Sequence, residues 1–206
     1  MGYDMEWVAT PADVEAAYSA ARDQFRAACH ARDEGAGTQA VVDETYDAMG
    51  RAHRSYFRLN IWGMGVYVRA MAGLGMLCES DPGPWPEKPD GLDWDLIAKV
   101  EEGDLPLDPA DPGLVGAASR YHLAVEEHLV TGSDSFGIPV HKLYTSNDGW
   151  LVTPGELIEA LSAWDGKSEY ERDQALEEAG INDRDYWARW IEFMRAAIDH
   201  GGFRVR

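Results

Sequence analysis

Four arginines, Arg51, Arg54, Arg58 and Arg69, fall in the segment 51–80, whose only acid is Glu79. Tyr56, Phe57, Trp62 and Tyr67 lie among them, while the rest of the chain carries 36 acids against 14 bases. A guanidinium presents forked donors that match a carboxylate or phosphate, and aromatic rings supply flat apolar walls. Helical counting from 39 to 60 puts Val42, Tyr46, Met49, His53 and Tyr56 on one stripe and Arg51, Arg54 and Arg58 on the opposite arc. The competing assignment for that arc is a solvated, ion-paired surface. Asp47 precedes Arg51 by four residues, a favourable spacing for a helical ion pair, and bases late in a helix complement its dipole.

A second candidate is the run Ser146-Asn147-Asp148-Gly149-Trp150, just ahead of a capped helix start at Thr153. Backbone N–H groups at a helix start bind anions, and the amide and carboxylate side chains would help orient a ligand. The same residues also make an ordinary turn, with Gly149 at positive φ and Trp150 as its anchor. His141, Lys142 and Tyr144 would share the rim. Joined together, the two regions predict a cleft lined by Arg54, Arg58, Asn60, Trp62, His141, Asn147, Asp148 and Trp150, suited to an anionic small ligand or peptide.

Metal chemistry is the runner-up. His122 and Glu126 stand at i and i+4 on one helix, and a bundle could bring His53 to them around zinc or iron. No Glu-x-x-His pair and no His-Glu-x-x-His occurs, and a histidine on an apolar stripe is ordinarily a hydrogen-bonded core residue. No cofactor is therefore expected. Nucleophilic chemistry has little support: Gly132-Ser-Asp-Ser-Phe-Gly137 lacks the Gly-x-Ser-x-Gly elbow, and Cys29 faces inward on the first helix. No phosphate-binding or dinucleotide-binding glycine loop is present. The reading leans away from catalysis and toward binding, with a metal-dependent enzyme in a helical bundle as the alternative.

The formal net charge of −19 disfavours nucleic acid and anionic membrane surfaces. It permits a basic protein partner, as an antitoxin or immunity protein would have, for which 93–111 and 169–178 could supply the dense acidic surface. Residues 1–10 contain Asp4 and Glu6 and no apolar run, so no secretory signal is expected. The most apolar stretch, 59–78, contains Arg69 and four glycines, and reads as a closely packed helix and not a membrane span. A cytoplasmic location with Cys29 and Cys78 as free thiols follows.

Something must position these residues, and the periodicity says helices. The apolar spacing predicts a mainly α protein of about eight helices, the longer ones near 11–32, 39–60, 65–77, 112–130, 154–164 and 184–200. It leaves room for at most about two or three short strands, at 138–144 and 203–206. The chain reads as one helical domain, 1–206, with a proline-rich excursion at about 80–112 that Trp85 pins to the body. Phe25, Val42, Met49, Val125, Leu157, Leu161, Trp187, Trp190 and Ile191 are the expected core.

Overall fold

Local capping chemistry sets several of the helix starts. Thr153 accepts the N–H of Glu156 while the Glu156 carboxylate accepts the N–H of Thr153, a complete capping box. Asp183 accepts from the Tyr186 N–H at 2.9 Å, and Asp93 accepts from Asp95. Ser168 and Glu171 form a second capping box, which the sequence reading passed over. The computed structural model describes residues 2–103, 112–132, 136–144 and 148–206. Asn147, one of the expected site residues, and Ser146 lie outside the described residues.

The order of elements begins with strand β1 (Gly2–Trp7), the long helix α1 (Ala12–Asp33) and α2 (Gln39–Ala52). Strand β2 (Tyr56–Asn60), α3 (Ile61–Gly73) and the two-residue β3 (Leu77–Cys78) follow. Next come α4 (Trp94–Glu102), α5 (Pro112–Leu129), β4 (Ile138–Pro139) and α6 (His141–Tyr144). The chain finishes with β5 (Trp150–Val152), α7 (Pro154–Asp165), α8 (Glu169–Ala179), α9 (Arg184–Ile198) and β6 (Phe203–Val205). The protein is mainly α, with a few short strands, as the periodicity predicts.

Four strands form an antiparallel sheet in the order β2-β1-β6-β5. Alternation sorts its side chains. Met5, Trp7, Phe57, Leu59, Trp150, Val152, Phe203 and Val205 are buried on one face. Asp4, Glu6, Arg58 and Arg204 alternate with them on the other. The buried face meets α9 and α3: Trp190 has no exposed surface and packs its ring against Phe57, Phe193 and Phe203 at 5.1–5.7 Å. Burial of large aromatics on both sides of this contact supplies much of the hydrophobic stabilisation. Gly202 allows β6 to close on β5. Its φ is 90°, and a Cβ there would lie 2.1 Å from the Val152 carbonyl oxygen.

Trp187, Trp190, Ile191, Val42, Leu157 and Leu161 are buried as expected. Phe25, Met49 and Val125 are half-buried. Phe25 and Met49 belong to the α1–α2 hairpin, whose helices bury only Ala28 and Val42. Trp85 does dock, with its ring 4.6 Å from His128 and 5.6 Å from Trp150. Among the described residues no helix is long and apolar enough to cross a membrane.

Two stretches differ in kind from the expectation: of 138–144, expected as a strand, only Ile138–Pro139 is strand and His141–Tyr144 is helix. The helix predicted over 39–60 ends at Ala52, and residues 56–60 are strand β2. Pairing with β1 buries Phe57 and Leu59 and exposes Arg58 and Asn60. Arg51, Arg54 and Arg58 therefore do not share one helix face. Arg51 ends α2, Arg54 sits in the connecting turn, and Arg58 belongs to the strand.

Candidate functional site: an arginine-lined trough beside strand β2

β2 is an edge strand, and open space adjoins its outer side. Three cavities adjoin there, of about 560, 670 and 370 Å³. The first two share Gly50, Arg51, His53, Tyr56, Phe57 and Arg189, and the last two share Arg58, Asn60 and Tyr186. Tyr56 and Phe57 form part of the floor. The end of α2 and the turn after it make one wall, with Arg51, His53 and Arg54. α9 makes the other, with Tyr186, Arg189 and Phe193.

The charges in this trough divide into two groups. Arg51, Arg54 and Arg189 are exposed and hold no carboxylate within ion-pair distance among the described residues. Arg189 lies over the Tyr186 ring, 5.3 Å from its centroid. Arg58 is already engaged, with its Nε 3.5 Å from Asp4 Oδ1 across the strand pair. The Tyr56 hydroxyl donates to the same carboxylate. Burial, followed by that hydrogen bond, pushes the Tyr56 phenol up to about 12, so it stays protonated. Asp47, Glu192 and Asp183 are the acids along the trough. Asp183 is occupied as the cap of α9. The surface ion pair expected between Asp47 and Arg51 is not formed among the described residues.

His53 closes the turn. Its ring stacks between Tyr18 of α1, at 3.9 Å, and Tyr56 of β2, at 4.6 Å, which seats the helical hairpin on the sheet edge. Burial lowers its pKa, with Glu6 acting in the opposite sense.

The other expected site residues are elsewhere. Asn60 lines the trough, but its side chain is committed to capping α3, accepting the Gly63 N–H at 2.6 Å. Trp62 projects into solvent, 86% exposed, and lines none of the three cavities. Trp150 is 2% exposed, packed among Trp85, His128 and His141. His141 and Lys142 are buried and form no rim; His141 Nδ1 is 2.8 Å from Ser80 Oγ. Asp148 is exposed in a separate cavity with His122, Glu126, Arg204 and Arg206. The sheet order explains the separation. β2 and β5 are opposite edges, three strand spacings apart, or roughly 14 Å. The single cleft joining Arg54 to Trp150 is therefore not assembled.

The metal trio is not assembled either. His53 is held in the tyrosine stack, whereas His122 and Glu126 line the cavity near Asp148, with Glu126 Oε2 2.5 Å from Arg204 Nη2. Among the described residues no three His, Cys, Asp or Glu side chains are grouped so as to hold an ion.

Sequence reasoning missed the α9 wall. Its signal was present as Arg189 and Glu192, exposed on the side of α9 away from Trp187, Trp190 and Ile191, with Tyr186 one turn before Trp190 at the margin of the buried face. No family model, curated protein or solved structure matches this chain.

Proposed function

We propose that this protein is a binding protein whose trough beside β2 takes an anionic ligand with an apolar or aromatic body. One observation carries the reading. Arg51, Arg54 and Arg189 come from two walls of the same trough and hold no carboxylate among the described residues, in a chain of net charge −19. Elsewhere the acidic surface repels an anion, so attraction is focused at this place. Tyr46, Tyr56 and Tyr186 line the trough with ring surface left at least partly exposed, which gives the ligand's apolar part a surface to cover, the usual composition of a ligand site.

Anilinonaphthalene sulfonate, a planar anion, tests the reading by fluorescence titration, with pyrophosphate as competitor. Saturable binding that pyrophosphate displaces, and that weakens about tenfold or more in the Arg54→Ala/Arg189→Ala double variant, is the expected result. Equal binding by wild type and double variant would overturn it.

A further inference from the structure

The hydrogen-bonding pattern at the edge of β2 indicates the shape of the occupant. Asp4 and Arg206 exchange both backbone hydrogen bonds, each at 2.7 Å, so Asp4 directs its N–H and C=O toward β6. In an antiparallel ladder consecutive residues point to opposite sides. Arg58, the cross-strand neighbour of Asp4, therefore directs its backbone groups away from β1, to the outer edge, and so does Tyr56.

Half of these outward groups are taken. The Tyr186 hydroxyl donates to the Arg58 carbonyl at 2.6 Å, and the Tyr56 N–H donates to the His53 carbonyl at 3.4 Å. Among the described residues the Tyr56 C=O and the Arg58 N–H have no hydrogen-bond partner. An antiparallel strand needs one residue to exchange both of its bonds, and neither Tyr56 nor Arg58 can do so. One residue of a parallel strand bonds instead to the C=O and N–H that flank its partner. The open pair flanks Phe57 in that way.

We propose, resting on the anion-binding reading above, that the ligand is an extended acidic segment of a partner polypeptide, added to β2 as a parallel fifth strand. β2 has five residues, roughly 16 Å, and backbone pairing is confined to its centre, where one residue of the added chain meets the Tyr56 C=O and the Arg58 N–H. Addition of a strand to a sheet edge draws affinity from the backbone and selectivity from side chains. Selectivity here is for acids, through Arg51, Arg54 and Arg189. A second copy of this chain does not fit the same edge, because β2 against β2 would set these arginines against one another.

The probe is the blocked peptide Glu-Val-Glu-Val-Glu and its counterpart N-methylated at the central residue, measured by calorimetry on the full chain. The methylated peptide keeps every charge and loses one backbone donor. The parent is expected to bind, and methylation to weaken it at least about tenfold. A nitroxide at the peptide's C-terminus should broaden the amide resonances of Asn60 and Gly63 more than that of Arg54. Equal binding of the two peptides overturns strand addition, and the reverse broadening overturns the parallel alignment. If anilinonaphthalene sulfonate binds and the peptide does not, the polypeptide ligand falls while anion binding stands. If neither binds, both fall.

Discussion

Lys142 Nζ lies 2.7 Å from Glu156 Oε1, and the lysine side chain has no solvent exposure. The same ammonium donates to the Leu151 carbonyl at 2.8 Å and to the Val130 carbonyl at 3.3 Å. It thereby ties the segment after α5, the strand β5 and the start of α7 to α6. Removing one member of a buried pair leaves the other charge uncompensated, typically at a cost of about 3–5 kcal/mol. Glu156→Ala should cost that much, because it strands the ammonium and also removes the cap on the Thr153 N–H. Lys142→Met keeps the volume and leaves Glu156, 11% exposed, with its capping bond. It should cost less than Glu156→Ala. Urea unfolding of the two variants measures the difference, and equal losses would contradict this account.

The two roles of Glu156 show what was legible in the sequence. Its capping partner is three residues away, and the Thr-x-x-Glu spacing announced it. Its ion-pair partner is fourteen residues away, and nothing local marks a lysine as buried. His141 and Lys142 were for that reason expected on a rim. β2 was obscured by the same kind of non-local effect. Helical counting fits 51–58 until β1, about fifty residues earlier in sequence, pairs with 56–60 and converts the chain to a two-residue period. The alternation of Phe57 and Leu59 with Arg58 and Asn60 was visible, but choosing it over the helix required the partner strand. Arg51 and Arg54 line one trough because the last turn of α2 and the turn after it carry them there.

Trp190 gives a test of the core. The side chain is fully enclosed, and its Nε1 has no hydrogen-bond partner among the described residues. Trp190→Ala should cost about 3–5 kcal/mol through lost contacts and the cavity left behind. Trp190→Phe should cost markedly less, since it keeps an aromatic ring against Phe57 and Phe203 and eliminates a buried donor. Thermal unfolding of the two variants checks the order, and a loss under about 1 kcal/mol for Trp190→Ala would place the residue outside the core.

The Tyr18–His53–Tyr56 stack should make hairpin docking sensitive to acid. Burial holds His53 below its ordinary value of 6.5 in the folded protein. The unfolded chain then takes up a proton first as pH falls. The stability contributed by the neutral ring is present above 6.5 and is lost as pH drops from there through the folded pKa. Relative to the intrinsic rate, which slows in acid, amide exchange in α1 and α2 should accelerate as pH drops below 6.5. His53→Phe keeps a flat ring in the stack and removes the titration, so its hairpin should not show that extra acceleration. The same acceleration in the variant would assign the effect to other groups.

Arg54 and Arg58 should contribute unequally to anion binding, because Asp4 already holds Arg58. At low salt Arg54→Ala should weaken anilinonaphthalene sulfonate by about five- to tenfold, the scale of a charge-assisted hydrogen bond. Arg58→Ala should lose only about two- to threefold, its charge being partly neutralised by a carboxylate 3.5 Å away. Both losses should shrink toward about 0.5 M salt as the exposed guanidinium charges are screened. Asp4→Asn tests the same logic with the opposite sign. The amide oxygen still accepts the Tyr56 hydroxyl, the negative charge disappears, and Arg58 is released to the trough. Affinity should rise in that variant, and the increase should vanish when Arg58→Ala is added. An Asp4→Asn protein that binds no more tightly than wild type would show that Arg58 faces away from the ligand.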